Sequence, residues 1–222
     1  MLGHAYHASA ERAVMAWNPT RNAVTVIDGF EDGDIAEYRG EPDEYSVVND
    51  SSGAYDGDYY LRHQLGSSGR SQMYSDPGDG LNAYFAKGET AKFYFRASES
   101  GDSKQFFVFG VADGNLFKNA YEAGLRWAVS PPQLRLNIDS DKENQDTLDS
   151  EPIDTWVELT LAWDDGTLGG ADNDIRLTAA VDGSQIGSVS INDSTYATET
   201  GVGFRVDTGG GVAKDIDYIH KP

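Results

Sequence analysis

The sequence predicts an all-β fold, a sandwich of two sheets. The 25 glycines, the 7 prolines and the 11% of aromatic residues suit many short strands joined by tight turns. Apolar residues alternate with polar ones in short segments along most of the chain. The length of 222 residues fits one sandwich domain, a class that commonly reaches about 200–250 residues.

Two segments near the ends of this β region organise the prediction. Residues 26–38 and residues 213–219 are both short and apolar, and both carry acidic side chains. We interpret them as the first and last strands, placed side by side so that the domain closes on itself. No second domain and no internal repeat is predicted.

The strands follow from alternation, and the loops follow from clusters of glycine, serine, asparagine and aspartate. Asp182-Gly183 is a hairpin turn signal. Long loops are predicted at residues 66–80, 139–151 and 164–174. Strands are predicted at residues 24–27, 45–48, 59–65, 91–97, 105–111, 124–129, 134–138, 155–163, 175–181, 185–191, 201–206 and 214–219.

Residues 1–24 differ from the rest of the chain. Ser9 can cap a short helix over residues 10–17, and Pro19 then ends it. We expect an arm that anchors the domain, residues 25–222, to a neighbouring subunit; a disordered leader is the alternative. The arm has no apolar core of about 7–15 residues, so no Sec signal is expected.

The charge is strongly negative, with 37 acidic residues against 17 basic ones and a net charge of -20. Nucleic acid is therefore not expected as a partner, because its phosphates would be repelled. No segment has the length or hydropathy for membrane insertion. The acidic residues are spread along the chain, and arginine outnumbers lysine, a pattern similar to that of proteins from haloarchaea and their viruses. An ordinary acidic secreted or phage protein is the alternative.

Five segments give the chain a resemblance to a known superfamily. They are residues 29–34 (GFEDGD), 56–61 (DGDYYL), 155–159 (TWVEL), 181–183 (VDG) and 216–219 (IDYI). Together they resemble the concanavalin A-like (laminin-G-type) jelly rolls, over roughly residues 25–220. That superfamily includes lectins, carbohydrate-binding modules, glycanases, polysaccharide lyases and domains of viral spikes, so the fold alone assigns no activity.

The catalytic patterns of the enzymes in this superfamily are not found. Its glycanases carry Glu-x-Asp-x-x-Glu on one strand, and the nearest match here, residues 41–44 (EPDE), is expected in a loop. Its alginate lyases use a Gln-x-His pair, whereas this chain has His63-Gln64 in the reverse order. His63 shares a strand face with Leu61 and Leu65, so we expect a core or edge histidine. No catalytic residue is predicted, and the chain is not expected to be an enzyme.

The resemblance also implies a structural Ca²⁺ near the joined termini. Glu31, Asp34, Asp215 and Asp217 occupy the matching positions, and Ca²⁺ takes 6–8 oxygen ligands. Weaker candidates are the acidic runs at residues 139–143 and 172–174. The alternative is that these carboxylates only hydrate an acidic surface.

A basic strip is the candidate ligand site. Alternation places Tyr94 and Arg96 on one face of their strand, and Arg126, Arg135 and Asn137 on the polar faces of theirs. If these strands are neighbours, the strip can bind carboxylate or sulfate through arginine and stack a sugar on tyrosine. Alternatively, the arginines pair with local aspartates or line a subunit contact. Trp156 is either a packing residue or a sugar platform.

These observations predict a non-enzymatic structural protein of a virus particle with a halophilic host. It would be a capsid turret, spike or tail-fibre subunit at the virion surface, assembled in the host cytoplasm. Expected partners are other virion proteins through the arm, a host surface glycan or glycoprotein, and further copies in a trimer or pentamer. A free lectin-like protein is the first alternative, and a polysaccharide-cleaving enzyme is the second.

Overall fold

The computed structural model describes residues 24–63, 69–101, 103–112, 118–164, 174–208 and 212–222. The predicted helix at residues 10–17, and the arm apart from Val24, lie outside the described residues. None of the described residues belongs to a helix long and apolar enough to cross a membrane. The strands are β1 (Thr25–Asp28), β2 (Arg39–Gly40), β3 (Tyr45–Asn49), β4 (Tyr59–His63), β5 (Gly69–Ser75), β6 (Glu89–Ala97), β7 (Ser103–Val111), β8 (Tyr121–Arg126), β9 (Gln133–Ile138), β10 (Asp141–Thr147), β11 (Val157–Trp163), β12 (Asp174–Val181), β13 (Ser184–Asn192), β14 (Gly201–Thr208) and β15 (Lys214–Lys221).

Two antiparallel sheets confirm the predicted sandwich. The eight-stranded sheet has the order β13-β12-β11-β6-β15-β4-β3, and β1 pairs with the far end of β15. The seven-stranded sheet has the order β10-β9-β8-β7-β14-β5-β2. The pairing of Val26 with His220 confirms that the first and last strands lie side by side.

The core between the sheets is rich in aromatic side chains. Alternation sends Phe93 and Phe107 inward from opposite sheets, where their ring centroids lie 4.9 Å apart. Trp163 is fully buried, and its ring lies 5.2 Å from that of Phe109. Each such side chain contributes roughly 1.5–3 kcal/mol by leaving water. The core therefore fixes which face of each strand points outward, and so which side chains are free to bind a ligand.

Two strands appear where the sequence predicts loops. β5 falls in the predicted loop at residues 66–80, because its inward positions include Ser71 and Ser75, which give no apolar signal. β10 (DKENQDT) has almost no buried side chain and is held by backbone pairing with β9. Hydrophobic alternation identifies strands that bury one face, so it misses a polar inward face and an exposed edge strand.

Gly124 marks a close approach between strands on the outer face of the seven-stranded sheet. A Cβ at this position would lie 2.0 Å from the carbonyl oxygen of Gln105 and 2.8 Å from Cα of Phe106. Both contacts involve the β7 backbone, which cannot move aside as a flexible side chain can. Gly203, on the same face, meets the β5 backbone in the same way, with the carbonyl oxygen of Met73 at 2.2 Å.

We expect Gly124→Ala to lower the free energy of unfolding by about 2–4 kcal/mol, because the added methyl group forces two paired strands apart. Gly29→Ala is the matched control, since its nearest contact would be an ordinary 3.7 Å. Its effect should stay within about 1 kcal/mol. Urea unfolding followed by circular dichroism measures both. Equal stability of the two variants would contradict the close approach.

His63 is the core histidine that the sequence predicts. It is fully buried, its Nε2 contacts Ser71 Oγ, and its ring lies 5.0 Å from that of Tyr45. Burial, helped by the charge of Lys214, lowers the pKa of His63 to about 4. The unfolded chain, with a histidine pKa of about 6.5, therefore binds this proton more readily than the folded chain does.

We therefore expect His63 to cost stability as the pH falls from about 6.5 to 4, by up to about 1.4 kcal/mol per pH unit. The His63→Gln variant can still contact Ser71 but cannot titrate. Its free energy of unfolding should fall less steeply in this window than that of the wild type. Chemical denaturation at several pH values measures both slopes, and identical slopes would show that His63 does not titrate on unfolding.

Candidate functional site

The structure divides the five residues predicted to bind a glycan between opposite faces of the sandwich. Tyr94 and Arg96 lie on β6 in the eight-stranded sheet, whereas Arg126, Arg135 and Asn137 lie on β8 and β9 in the other sheet. The single strip is therefore corrected to two separate groups. Alternation assigned the outward faces, but the sheet in which a strand pairs depends on contacts distant in sequence.

Tyr94 and Arg96 are held by other side chains. The Tyr94 hydroxyl donates to Glu158 Oε2 at 2.9 Å. Arg96 donates from Nε and Nη2 to Asp215 Oδ2, at 3.0 and 2.7 Å, and its guanidinium lies 4.5 Å from the Trp156 ring centroid. Arg96 therefore pairs with a local aspartate, which is the alternative that the sequence left open.

The other three residues form what we call the arginine face: Arg126, Gln133, Arg135 and Asn137 on the outer side of β8 and β9. Arg126 is directly opposite Gln133 in the register, and Arg135 is opposite Gly124. Gln133 Oε1 accepts from Arg126 Nη1 at 3.5 Å and from Arg135 Nη2 at 3.0 Å. One neutral amide therefore bridges two guanidinium groups, and neither forms an ion pair with any described carboxylate.

Unpartnered polar atoms are concentrated on this side of the sheet. Seven buried side-chain polar atoms of the described residues lack a hydrogen-bond partner, and four of them belong to Gln72, Arg126, Arg135 and Asn137. All four side chains point outward from the seven-stranded sheet. Three of these residues, Arg126, Arg135 and Asn137, lie together on β8 and β9, whereas Gln72 lies on β5, with β7 and β14 in between. Buried polar atoms are nearly always paired, so water or a ligand completes these groups.

The electrostatics of the pair are unfavourable without a ligand. Burial lowers the pKa of Arg135, and the charge of Arg126 lowers it further. Both effects show that the positive charges repel and are partly removed from water. A bound anion would offset both the loss of water around Arg135 and its repulsion by Arg126.

The sequence did not reveal the buried charged network beside the arginine face. Glu122 is fully buried; its Oε2 accepts from Asn137 Nδ2 at 2.7 Å, and its Oε1 accepts from Arg205 Nη1. Arg205 also pairs with Asp207, Nη2 to Oδ2 at 2.9 Å. This network fixes Asn137. Alternation places Glu122 on the outward face of β8 and Arg205 on that of β14. Only the order of the strands shows that the two side chains meet.

Two of the four residues predicted to bind Ca²⁺ have their carboxylates fully engaged. Asp215, with 3% of its side chain exposed, accepts from Arg62 through both oxygens and from Arg96. Asp217 accepts from the backbone N–H groups of Tyr55 and Tyr218, each at 2.7 Å, and burial raises its pKa to about 7. Asp215, shared between two arginines, does not fit the role of a metal ligand, and Asp217 stays a prediction.

Of the other two predicted ligands, Glu31 holds the same loop as Asp217, and Asp34 lies on the surface. Glu31 accepts from the backbone N–H groups of Asp58 and Tyr59 at 3.1 Å, which pins the loop before β4. Asp34 is exposed, and one of its oxygens comes within 4.8 Å of oxygens of Asp32 and Glu37. The four-residue ligand set is therefore corrected; this exposed triad is the described group able to offer three oxygens to one cation.

The two weaker calcium candidates, residues 139–143 and 172–174, also contain side chains that bond to other residues of the protein. Residues 141–143 belong to β10, while Ser140 donates to Glu122 in the buried network. Asp174 accepts from Asn192, and residues 172 and 173 lie outside the described residues.

We expect Asp215→Ala to lower the free energy of unfolding by about 2–3 kcal/mol, because it leaves Arg62 and Arg96 without their shared anion. Asp34→Ala, an exposed position from the same predicted set, should change it by less than about 0.5 kcal/mol. Thermal unfolding with calcium and with a chelator measures both. A loss in Asp215→Ala that appears only with calcium present would restore the metal hypothesis.

Comparison with known proteins identifies the architecture. No protein-family model matches the chain, and no curated protein matches its sequence. Among solved structures, peanut lectin is similar with a TM-score of 0.56 and 12% identity, over 90% of this chain and 96% of that one. A legume lectin-like domain from Entamoeba histolytica has a TM-score of 0.53 and 12% identity, over 90% and 99%. The endo-β-1,4-glucuronan lyase of the fungus Trichoderma reesei has a TM-score of 0.52 and 15% identity, over 91% and 95%. The chain therefore has the concanavalin A-like jelly-roll fold that these proteins share.

Proposed function

We propose that this protein is a non-enzymatic carbohydrate-binding domain, and that its arginine face binds a glycan carrying carboxylate or sulfate groups. The observation that carries the proposal is the adjacent pair Arg126 and Arg135, which has no carboxylate partner among the described residues of a chain with a net charge of -20.

Most of the other arginines that the structure describes pair with an acid, and Arg176 is the exception. The arginines of the described residues that pair with aspartate or glutamate are Arg39, Arg62, Arg70, Arg96 and Arg205. Where acids are so abundant, a guanidinium pair bridged only by a glutamine is expected to bind an external anion. Arginine suits carboxylate and sulfate because its planar donors match two oxygens at once.

A neighbouring group supports a sugar rather than an isolated ion. The unpartnered Oδ1 of Asn137 is an acceptor beside the two arginines, suited to a hydroxyl group. The proteins with a similar fold include lectins and a glucuronan lyase, which supports carbohydrate as the ligand class.

Cleavage of an acidic polysaccharide is the second candidate, because the glucuronan lyase and an alginate lyase from Aplysia kurodai share the fold. Neither described histidine favours it: His63 is in the core, and His220 lies on β15 in the opposite sheet. Incubation with alginate and glucuronan, followed by the ultraviolet absorbance of unsaturated uronates, decides between the two. A steady rise in absorbance would replace the binding proposal with a lyase.

The finer predictions from the sequence remain proposals. They are a surface subunit of a halophilic virus particle, an anchoring arm at residues 1–24, and assembly into a trimer or pentamer. The strongly acidic composition supports the halophilic host. Light scattering in molar salt, on the full chain and on a chain lacking residues 1–24, tests the assembly. The same number of subunits in both assemblies would contradict the anchoring role of the arm.

We expect Arg126→Gln and Arg135→Gln each to weaken binding of alginate oligosaccharides about tenfold or more, since a charge-assisted bond contributes roughly 1.5–3 kcal/mol. Arg176→Gln removes the same charge from the opposite sheet and is the matched control. Calorimetry measures the affinities, and neutral dextran should not bind at this face. Equal losses in all three variants would mean that only net charge matters and would overturn the assigned face.

A further inference from the structure

A hollow lies on the side of the sandwich opposite the arginine face. It has a volume of about 280 Å³ and opens on the outer face of the eight-stranded sheet. The residues that line it come from β6, β11 and the segment before it, the end of β12 with the turn to β13, and the loop between β3 and β4: Tyr55, Tyr94, Thr155, Trp156, Glu158, Ala180, Asp182 and Gly183. No residue of the arginine face contributes to it.

One wall of the hollow is an exposed aromatic ring. Tyr55 is 45% exposed, and within the described residues only Val24 is a comparably exposed large apolar side chain. One face of the Tyr55 ring stacks on Tyr94, with centroids 3.4 Å apart and planes 15° apart. The Trp156 ring stands nearly perpendicular to Tyr55 at 6.4 Å. The ring of Tyr55 therefore remains accessible to solvent although two other aromatic rings pack against it.

The loop that carries Tyr55 is fixed in place from three sides. Asp217 accepts from the backbone N–H groups of Tyr55 and Asp56, and Glu31 accepts from that of Asp58. Trp156 Nε1 donates to the carbonyl oxygen of Gly53 at 3.1 Å. The ring is therefore presented in advance, and a ligand does not have to order the loop.

The polar part of the lining is acidic. Glu158 is held by Lys92 Nζ at 2.7 Å and by the Tyr94 hydroxyl, and Asp182 lies in the hairpin turn. Carboxylates accept strong hydrogen bonds from hydroxyl groups and repel anions. Because Lys92 neutralises Glu158, that carboxylate serves as a hydroxyl acceptor, and Asp182 is the charge that disfavours an anionic ligand.

We infer that this hollow binds a single neutral sugar ring, and that the protein has two carbohydrate sites of opposite preference on its two faces. A pyranose offers a face of C–H groups to an aromatic ring and hydroxyl donors to carboxylates, which matches Tyr55 and Glu158. The volume is just below the roughly 300–1,000 Å³ of pockets for drug-sized ligands, so one ring fits better than a long chain.

Two sites facing opposite directions have a functional consequence. One domain can hold an acidic chain on one side and a neutral residue on the other. It can therefore join two glycans, or bind two branches of one glycan more tightly than either alone.

Calorimetry with methyl glucoside, methyl galactoside and methyl mannoside tests the inference on the full chain. We expect at least one to bind with a dissociation constant near 1 mM or below. Tyr55→Ala should weaken that binding roughly two- to tenfold, because an aromatic contact of this kind contributes about 0.5–1.5 kcal/mol. Ala180→Phe, which fills the hollow and keeps every aromatic ring, should do the same.

Four outcomes would overturn the inference: no saturable binding of any of the three sugars, unchanged binding in Tyr55→Ala and Ala180→Phe, displacement of the sugar by alginate oligosaccharides, or tighter binding of tetramethylammonium, which would make the hollow a cation site. The double variant of Arg126→Gln and Arg135→Gln is the control that separates the two proposals. It should keep neutral-sugar binding and lose alginate binding, whereas Tyr55→Ala should do the reverse.

Discussion

The antiparallel pairing of β15 with three strands is the constraint on which the rest of the molecule depends. Its first half joins β4 to β6, and its second half takes β1 as a partner. The outward side chains of the same strand hold the surface together, because Asp215 clamps arginines from β4 and β6 while Asp217 pins the loop that carries Tyr55. One strand thus closes the sheet and shapes the hollow beyond it.

Charge is used differently on the two faces of the sandwich. On the eight-stranded sheet, Arg62, Arg96 and Lys92 are neutralised by acids on neighbouring strands. On the seven-stranded sheet, Glu122 and Asp207 likewise pair with Arg205, Arg70 and Lys104, whereas the arginine face beside them has no acid of its own. In a protein with a net charge of -20, a local positive surface attracts anionic ligands against the field of the whole molecule.

The sequence was most informative where burial is one-sided. The alternation of β6 and β9 is clear, and the outward positions of Tyr94, Arg96, Arg126, Arg135 and Asn137 were assigned correctly. Serine at the inward positions of β5 and the fully polar β10 gave no such signal. The site was harder, because joining Tyr94 to Arg126 assumed that β6 and β8 share a sheet. Their separation results from strand pairing at long range, which local patterns do not encode.

The exposed strand β10 also has a role at the open side of the sandwich. Asn144 Nδ2 donates to the carbonyl oxygen of Ser190, and Asp146 Oδ2 accepts from the backbone N–H of Ser188, so side chains of one edge strand occupy hydrogen-bonding groups of the other, β13. Free edges invite a strand from another molecule, and charged or already bonded edges discourage it. This corner of the domain is thereby protected against fibril-like stacking, which allows many copies to be crowded together and remain separate.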